Sequence, residues 1–463
     1  MSDAKKLPRS KKSVWAIGSI ADVNMANALN YLAFPIYNMG LGVDPRMLGW
    51  ALALPRVWDA ISDPLMGNIS DNANTRFGRR RPFILIGAIL CAIMFALIWS
   101  PPTGWSPTAI GWYFMVMVFL YYTAYTIFMV PWGATGLELT TDYNERTWVQ
   151  AYRVMFQAIG GIGLGAMWLL ALKWGGGDDV VGVRYVGLAF GFLILVCGVL
   201  PAIFCRENMA HDQDKFKFWP SIKATFSNKV FLLLIAVTVC VFLGISMVFS
   251  FAPYINTYYV LGGDKEGAAS LNMYGTFVFA AAGLGLVPVI SYVATFLGKK
   301  ATLIGCLLMV VVSYGTSWWL YTPDNPWLQL ITLALAAPGM SCMSIIASSM
   351  VADICDMDEV KTGRRREGMF GGSYSCATKI GISLTMILSC YMLSWSGFDV
   401  AVEVQPEAVI TNMRLLYMLV PMGFVGLAAL LLFFYPLSEE RVLEIQKQLR
   451  LEETPDDIIP NEA

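Results

Sequence analysis

Long apolar stretches separated by short polar turns recur along almost the whole chain. About 20 apolar residues in a helix cross a hydrocarbon core of roughly 30 Å, so stretches of this length predict transmembrane helices. The pattern predicts twelve of them, at 14–38, 45–70, 83–100, 108–137, 148–173, 183–205, 230–260, 268–297, 301–320, 327–355, 367–395 and 412–436. We therefore expect an all-α membrane protein with both chain ends on the same side of the bilayer.

The longest polar interruption predicts how the helices are grouped, because it separates six spans from six. A faint internal repeat supports this division: Gly78–Gly87, after the second span, resembles Gly298–Gly305, after the eighth. The predicted domains are an N-terminal tail (1–13), an N-terminal six-helix bundle (14–205), a central loop (206–229), a C-terminal six-helix bundle (230–436) and a C-terminal tail (437–463). Two six-helix halves with a binding site near the bilayer midplane are one plan of secondary transporters.

Composition excludes several classes of protein. Hydrophobic residues make up 57% of the chain and charged residues 14%, and neither share suits a surface exposed to water. The 32 basic and 33 acidic residues nearly balance, which gives no sign of a nucleic-acid partner. The one histidine, His211, lies in the central loop, and the sequence shows no Ser-His-Asp or metal-ligand constellation and no phosphate-binding loop. We expect neither an enzyme nor a bound cofactor.

Lysine and arginine are unevenly divided between the two sets of loops, which predicts the orientation of the chain. The loops assigned to the cytoplasm contain Lys5, Lys6, Arg9, Lys11, Lys12, Arg76, Arg79, Arg80, Arg81, Arg146, Arg206, Lys215, Lys217, Lys223, Lys229, Lys299, Lys300, Lys361, Arg364, Arg365 and Arg366. The opposite loops contain only a few, such as Arg46, Arg184, Lys265 and Arg414. We expect both termini in the cytoplasm. The first residues are polar and basic without a signal-peptide cleavage site, which predicts a cytoplasmic tail. With twelve spans, we expect a multi-pass protein of the inner cell membrane.

Six charged residues lie inside the predicted spans, away from their ends, where each costs a few kcal/mol and therefore needs a partner or a function. They are Asp22 in the first span, Arg56, Asp59 and Asp63 in the second, Arg153 in the fifth and Lys379 in the eleventh. Three acids balance three bases, which permits a paired network that faces an aqueous cavity.

The three charges of the second span share one helical face, because Arg56, Asp59 and Asp63 are three and four residues apart. Two carboxylates one turn apart repel each other when both are ionised, so they share a proton or hold a cation. Ser62 lies beside them, and Thr126 on the fourth span offers another oxygen. Such oxygens suit a hard ion, which predicts a site for sodium or a proton as the coupling cation. The alternative is that the charges only join helices through salt bridges.

The remaining charges predict a site for a polar solute. Asp22, Arg153 and Lys379 come from both halves of the chain, so they can meet only where the halves face each other. There they can hydrogen-bond the hydroxyls of a sugar-like molecule. The fourth span adds aromatic faces for a sugar ring, from Tyr122, Tyr125 and Trp132. The alternatives are structural pairing for the charges, and packing or interfacial anchoring for the rings.

Small residues are concentrated in the fifth span. Gly160, Gly161, Gly163 and Gly165 leave one stretch of this helix almost without side chains. Small residues let helices approach closely in lipid, so these positions predict a packing surface. Sliding of helices during transport is a second interpretation.

Four motifs carry a family resemblance. They are WDAISDPLMG at 58–67, RFGRRRP at 76–82 after Asp71, LELTTDYNERT at 137–147 and DICDMDEVKTGRRREG at 353–368. Together they resemble the glycoside-pentoside-hexuronide:cation symporter family of the major facilitator superfamily. The motifs occur in both halves of the chain and in the family's order.

The resemblance implies the major facilitator fold and alternating access between two six-helix bundles. It assigns Asp59, Ser62, Asp63 and Thr126 to the cation site, where Asp59 and Asp63 can hold either sodium or a proton. It assigns Asp22, Arg153 and Lys379 to positions that contact sugar or link it to the cation site, and we expect Arg56 to couple the two. It also implies a cytoplasmic gate formed by Arg76, Arg79, Arg80, Glu138, Asp142, Arg146, Asp353, Asp356, Arg364 and Arg365. Such charge networks close one face and break when it opens.

Two positions depart from the family pattern. Where the family's melibiose carrier has an acid in a Thr-Ile-x-Asp pattern, this chain has Met129. The end of the tenth span, at 347–353, contains no tryptophan. Both differences indicate a pocket shaped for another ligand.

The sequence thus predicts a monomeric symporter, surrounded by membrane lipid, that couples uptake of a glycoside, pentoside or hexuronide to entry of sodium or protons. One alternative is a lipid or lysolipid carrier of the same fold. Another is a transporter-like nutrient sensor that binds its ligand without moving it.

Overall fold

The structure is a computed structural model that describes residues 8–140, 143–205, 228–362, 367–400, 402, 404–437 and 439–452. Most of the predicted central loop and the outer parts of both predicted tails lie outside these residues. Over the described ranges the chain is helical and contains no strand.

Thirteen α-helices follow one another along the described chain. They are α1 (Arg9–Ala33), α2 (Pro45–Asn72), α3 (Arg81–Ile98), α4 (Pro107–Glu138), α5 (Tyr143–Trp174), α6 (Asp179–Phe204), α7 (Lys229–Tyr254), α8 (Lys265–Leu320), α9 (Gln329–Cys342), α10 (Ser348–Thr362), α11 (Glu367–Trp395), α12 (Glu407–Phe433) and α13 (Glu439–Glu452). Short π-helical segments extend α1 (Phe34–Gly40) and α7 (Ile255–Val260), and a third (Met343–Ala347) joins α9 to α10. A 3-10 turn, Pro326–Leu328, precedes α9.

Each of the twelve predicted spans corresponds to a helix, or to part of a helix, in the structure. Two differences from the prediction have a physical reason. Nine helical segments of the described chain are long and apolar enough to cross a membrane. One of them, α8, consists of two helices that meet at Gly298, whose φ of 77° is a conformation that glycine adopts at low cost. The helices α1 and α2 are as long as the others, but charged residues such as Asp22 and Asp59 reduce their hydropathy.

Polar side chains fix where several helices begin. Asp44, Ser106 and Asp178 precede α2, α4 and α6, and each accepts a hydrogen bond from a backbone N–H in the first turn. The first N–H groups of a helix have no partner within it, so such a cap stabilises the helix start by about 1 kcal/mol.

Contacts divide the chain into two compact units. The first comprises Met1–Gln213, Phe249–Phe277 and Met386–Arg414, and the second comprises Asp214–Val248, Val278–Thr385 and Leu415–Ala463. The units interleave along the chain, because two segments of the second half belong to the first unit. The division into bundles at 14–205 and 230–436 stays a prediction.

Within the first unit, α1 packs against α5 and α6, α2 against α4, and α3 against α4 and α6. Glycines permit the closest of these approaches. A β-carbon on Gly160 of α5 would lie 2.9 Å from the Ile20 Cα of α1, and one on Gly87 of α3 would lie 2.5 Å from the backbone nitrogen of Phe128. Gly160 therefore has the packing role that the sequence predicts for the glycines of the fifth span.

In the second unit, polar contacts join the ends of neighbouring helices. The Lys300 Nζ donates hydrogen bonds to the carbonyl oxygens of Phe433, at 3.0 Å, and Tyr435, at 2.8 Å. A cation at this position also interacts favourably with the C-terminal end of the α12 dipole. The short helix α13 packs against α10, where it buries Ile445.

All nine cysteines are free thiols, and most are buried. Burial raises the pKa of the Cys205 thiol, just beyond α6, to about 11. Since the thiolate is the reactive form, this thiol stays protonated and unreactive near neutral pH.

Candidate functional site

Arg56, Asp59 and Asp63 lie along one face of α2 and are called the acidic stripe. This stripe forms the centre of the candidate site. Asp59 is buried, with 1% of its surface exposed, Arg56 is buried as well, and Asp63 is partly buried. The spacing that places these side chains on one face also aims them at α4, since α2 packs against that helix.

The four residues predicted for the cation site come together in the structure. The Thr126 Oγ1 lies 3.0 Å from the Asp63 Oδ1 and 3.5 Å from the Asp59 Oδ1. The Ser62 Oγ lies 3.4 Å from the same Thr126 oxygen. Two carboxylates and two hydroxyls in one cluster offer oxygen ligands to a hard cation, and the carboxylates can also take up a proton.

Arg56 is held beside this cluster by three helices. Its Nη2 donates to the Ala26 carbonyl oxygen of α1 at 2.7 Å and to the Tyr122 hydroxyl of α4 at 3.0 Å. Its guanidinium carbon lies 4.1 Å from the centre of the Tyr122 ring, which is a cation–π distance. Its Nη1 lies 3.7 Å from the Asp59 Oδ2, so the positive charge is fixed next to one acid of the stripe.

A second charged cluster joins α1, α4 and α5. The Tyr125 hydroxyl donates to the Asp22 Oδ1 at 2.8 Å, and the Arg153 Nη2 lies 3.6 Å from the Asp22 Oδ2. Asp22 is buried, whereas about a third of the Arg153 side chain, 34%, is exposed. The arrangement offers a guanidinium and a carboxylate to the hydroxyls of a solute.

One face of α4 connects the two clusters. Tyr122, Tyr125 and Thr126 are spaced at i, i+3 and i+4, which places them on neighbouring positions of the helix surface. The rings of Tyr122 and Tyr125 pack edge to face, with centres 6.2 Å apart. Thus Tyr122 contacts the arginine beside the cation site, and Tyr125 contacts the acid of the second cluster. Thr126 contacts both acids of the stripe.

Trp132 lies in a packed contact between α1 and α4, with none of its surface exposed. Its ring stacks on Trp15 at 5.1 Å, and each indole N–H donates to the other residue's carbonyl oxygen at 3.1 Å. The Arg153 guanidinium carbon lies 5.1 Å from the Trp132 ring centre. A role for Trp132 in solute binding stays a prediction.

Lys379 lies on α11 in the second unit, where it is partly buried. Its approach to Asp22 and Arg153 stays a prediction.

Several residues predicted for the gate pair within their own unit. Arg79 lies 3.0 Å from Glu138, and Arg80 lies 2.6 Å from Asp71 and 2.8 Å from Glu138. In the second unit Asp353 pairs with Lys299 at 2.6 Å.

The other predicted gate residues differ in how far the structure describes them. Arg76 is exposed and Asp356 is partly buried. Asp142, Arg364 and Arg365 lie outside the described residues, as does the side chain of Arg146.

Sequence reasoning missed three contributors to the site. Lys299 and Asp71 carried a signal, because both lie in the charged loops that the sequence singled out. The Ala26 carbonyl, which anchors Arg56, carried none, since every residue has such a group.

Curated relatives of this chain are named as transporters. The chain is 25% identical to the "Glucuronide carrier protein homolog" of Escherichia coli (strain K12), over 93% of each chain. It is 24% identical to the "Putative glycoside/cation symporter YagG" of the same organism, over 96% of this chain and 95% of the relative. It is also 24% identical to "Sodium-dependent lysophosphatidylcholine symporter 1" of Xenopus tropicalis, over 97% of this chain and 91% of the relative.

Solved structures show the same fold. A crystal structure of a D-xylose-proton symporter matches with a TM-score of 0.70 at 15% identity, and the match covers 93% of this chain and 98% of the other. The predicted major facilitator fold is therefore confirmed. The MFS/sugar transport protein family matches residues 14–439, almost the full length of the sequence, which also confirms the family resemblance of the four motifs. The chain is therefore a membrane transporter, and it belongs to the MFS/sugar transport protein family.

Proposed function

We propose that this chain is a secondary symporter that couples the uptake of a sugar or glycoside to the entry of sodium or protons. The observation that carries the proposal is the convergence of Asp59, Asp63, Ser62 and Thr126 beside a fixed arginine. The names of the glucuronide carrier and glycoside/cation relatives support the same class of solute and cation coupling.

The cation binds in the acidic stripe of α2. With Arg56, Asp59 and Asp63 ionised, the stripe has one positive and two negative charges, so one monovalent cation or proton brings it to neutrality. Binding also removes the repulsion between two carboxylates held about one helical turn apart. Thr126 and Ser62 supply the neutral oxygens of the site.

The solute binds at the second cluster. Asp22 and Arg153 hydrogen-bond its hydroxyls, and Tyr125 holds the Asp22 carboxylate in place. Tyr122, Trp132 and Lys379 complete the proposed solute set. Because Tyr125 adjoins Tyr122, which contacts Arg56, cation binding and solute binding act on the same face of α4.

Alternating access then moves the loaded site from one face of the membrane to the other. The ion pairs of Arg79, Arg80 and Glu138, and of Lys299 and Asp353, belong to the proposed cytoplasmic gate. Both termini lie in the cytoplasm, and one chain suffices for transport. Coupling results when only the fully loaded or the empty carrier changes its conformation.

The proposal is tested by uptake of labelled glycosides, pentosides and uronates into membrane vesicles. A sodium or a proton gradient is imposed, and wild type is compared with Asp59→Asn and Asp63→Asn. Asp324→Asn, an exposed acid before α9, serves as the matched control. We expect one gradient to drive accumulation in wild type and the control, and neither stripe variant to respond to it.

Other outcomes favour other functions. If both stripe variants still accumulate solute against its gradient, the acids are structural and the coupling mechanism is wrong. If no sugar moves under either gradient but labelled lysophosphatidylcholine does, the lysolipid carrier of the same fold replaces the sugar symporter. If solutes bind without uptake, the chain acts as a sensor.

A further inference from the structure

Two of the buried thiols contact each other in the second unit. Cys306 lies on the second part of α8, and Cys342 is the last residue of α9. Their side chains hydrogen-bond each other. Cys342 has none of its surface exposed, and Cys306 has 8%. A buried cysteine on its own acts as a small hydrophobic residue, whereas two adjacent thiols can together bind one atom between them.

The packing of α9 on α8 places the two thiols opposite each other. The helices run in opposite directions, because only the short segment 321–328 separates them. They approach closely where a β-carbon on Gly339 of α9 would overlap the Val310 Cγ2 of α8. Cys306 is four residues before Val310, and Cys342 is three residues after Gly339. Each cysteine is therefore about one helical turn from the close approach, on the same side of it.

Contacts on both sides of the thiols fix this register. The Ser313 Oγ donates to the Thr332 carbonyl oxygen at 2.6 Å, beyond the close approach. In the other direction, Lys299 at the start of the second part of α8 pairs with Asp353 of α10 at 2.6 Å. A slip of one helix along the other would break both contacts. The pairing of the thiols thus follows from the packing of the helices.

Gly305 opens a side of Cys306 to a small molecule. A β-carbon on this glycine would meet nothing within 4 Å among the described residues. On the next turn, Leu308 and Met309 are exposed, at 49% and 44%. Exposed apolar side chains on a membrane-spanning helix face the hydrocarbon of the bilayer. A neutral compound dissolved in lipid can therefore approach the Cys306 thiol beside Gly305.

The arrangement of the thiols selects among the ions that sulfur binds. Thiolate sulfur is a soft ligand and prefers soft ions. A linear two-coordinate ion, such as Hg²⁺ or Cu⁺, needs its two sulfur atoms on opposite sides. Trivalent arsenic is pyramidal and holds two sulfur atoms next to each other. Two thiols that hydrogen-bond each other already have the second arrangement.

We propose that Cys306 and Cys342 form a dithiol site that binds trivalent arsenic compounds from the lipid phase. With an aryl arsenic oxide, two S–H bonds break and two As–S bonds form, and the oxide oxygen leaves with both protons as water. Arsenic stays trivalent, so the step needs no oxidant or reductant. The bridge joins α8 to α9 at the residue that precedes the π-helical segment Met343–Ala347.

The first experiment uses phenylarsine oxide as the probe and the full chain, purified in detergent without oxygen. After incubation, the protein is washed with 2-mercaptoethanol, a monothiol that removes arsenic held by a single sulfur, and is then desalted. It is denatured in N-ethylmaleimide, and mass spectrometry identifies which of the nine cysteines carry the label. We expect Cys306 and Cys342 to stay unlabelled, and dimercaptopropanol, a dithiol that removes the arsenic, to restore their labelling.

A sample without phenylarsine oxide is the control for disulfides. Cys306 and Cys342 should both carry the label there. If they are unlabelled in this sample as well, a disulfide joins them and the assignment to arsenic fails. If both are labelled after treatment with phenylarsine oxide, the two thiols do not hold arsenic and the proposal is wrong.

The second experiment removes one thiol at a time. The second As–S bond forms within the molecule, so Cys306→Ala and Cys342→Ala should each weaken binding of phenylarsine oxide about a hundredfold. Cys197→Ala is the matched control, because it removes a buried thiol of α6 and keeps the pair. Its affinity should equal that of wild type. Binding is measured as the arsenic retained per chain during a titration.

Equal affinities for wild type and both single variants of the pair would overturn the proposal, because arsenic would then bind elsewhere. The labelling experiment uses the unaltered chain, so it decides the question if a variant is not recovered as a monodisperse protein. Neither experiment requires a solute or a gradient. Their failure would leave the proposed symport intact, and failure of sugar uptake would leave the dithiol site intact.

Discussion

Thr126→Val should weaken sodium binding if sodium is the ion that drives uptake. Thr126 is buried, and its hydroxyl contacts both acids of the stripe, at 3.0 Å from Asp63 and 3.5 Å from Asp59. Valine keeps the branched shape and removes the oxygen. The substitution therefore tests the hydroxyl itself with little change in packing.

The expected magnitude follows from the contacts that are lost. A hydrogen bond or ligand contact that involves a charged group contributes about 1.5–3 kcal/mol. A loss of this size corresponds to a decrease in sodium affinity of about ten- to a hundredfold. Thr126→Ser retains the hydroxyl and should stay within about threefold of wild type, since it loses only a methyl group.

Sodium titration of the purified protein measures the effect, with calorimetry or with the fluorescence of tryptophan. Trp58 adjoins Asp59 in sequence and packs against Phe119 of α4 at 5.6 Å, so it lies close enough to report on the stripe. Thr123→Val is the matched control on the same helix, because its hydroxyl donates to the Phe119 carbonyl oxygen at 2.9 Å and does not contact the acids. Equal sodium affinities for Thr126→Val and wild type would refute the assignment of this hydroxyl to the cation site.

Two further predictions concern the second cluster and the packing of α1 on α4. Tyr125→Phe keeps the ring and removes the hydrogen bond to Asp22, so we expect the KM for the transported solute to rise about tenfold while sodium affinity in the absence of solute stays unchanged. A rise in the sodium dissociation constant alone would contradict this division of roles. Gly136→Ala would place a β-carbon 1.9 Å from the Trp15 ring, and overpacking of this kind costs about 1–3 kcal/mol. Thermal unfolding in detergent should show a lower midpoint than for Gly133→Ala, whose β-carbon meets nothing within 4 Å among the described residues, and equal midpoints would show that the Trp15 contact relaxes freely.

The charged residues of the membrane spans allowed much of the candidate site to be predicted from sequence. Spacing alone placed Arg56, Asp59 and Asp63 on one face, and the cost of burying charge required partners for them. Thr126 was predicted from its residue type and the family resemblance, and the structure brings it to both acids.

Other features had no sequence signal. The pairing of Trp15 with Trp132 depends on which helices adjoin, and a tryptophan near a span end is equally suited to the membrane interface. The second-half segments that pack with the first unit were missed as well, because helix periodicity describes one helix at a time. Contacts between helices far apart in sequence depend on tertiary packing that a local pattern does not contain.

The shared face of α4 limits how the transporter can change during evolution. A substitution at Tyr122 or Thr126 that suits a new solute also disturbs a group that contacts the charges around the coupling ion. New substrate preferences should therefore arise first at positions that touch only one ligand. In a selection for growth on a different sugar, mutations at Tyr122 and Thr126 should be recovered late, after substitutions elsewhere have compensated for their effect on the ion.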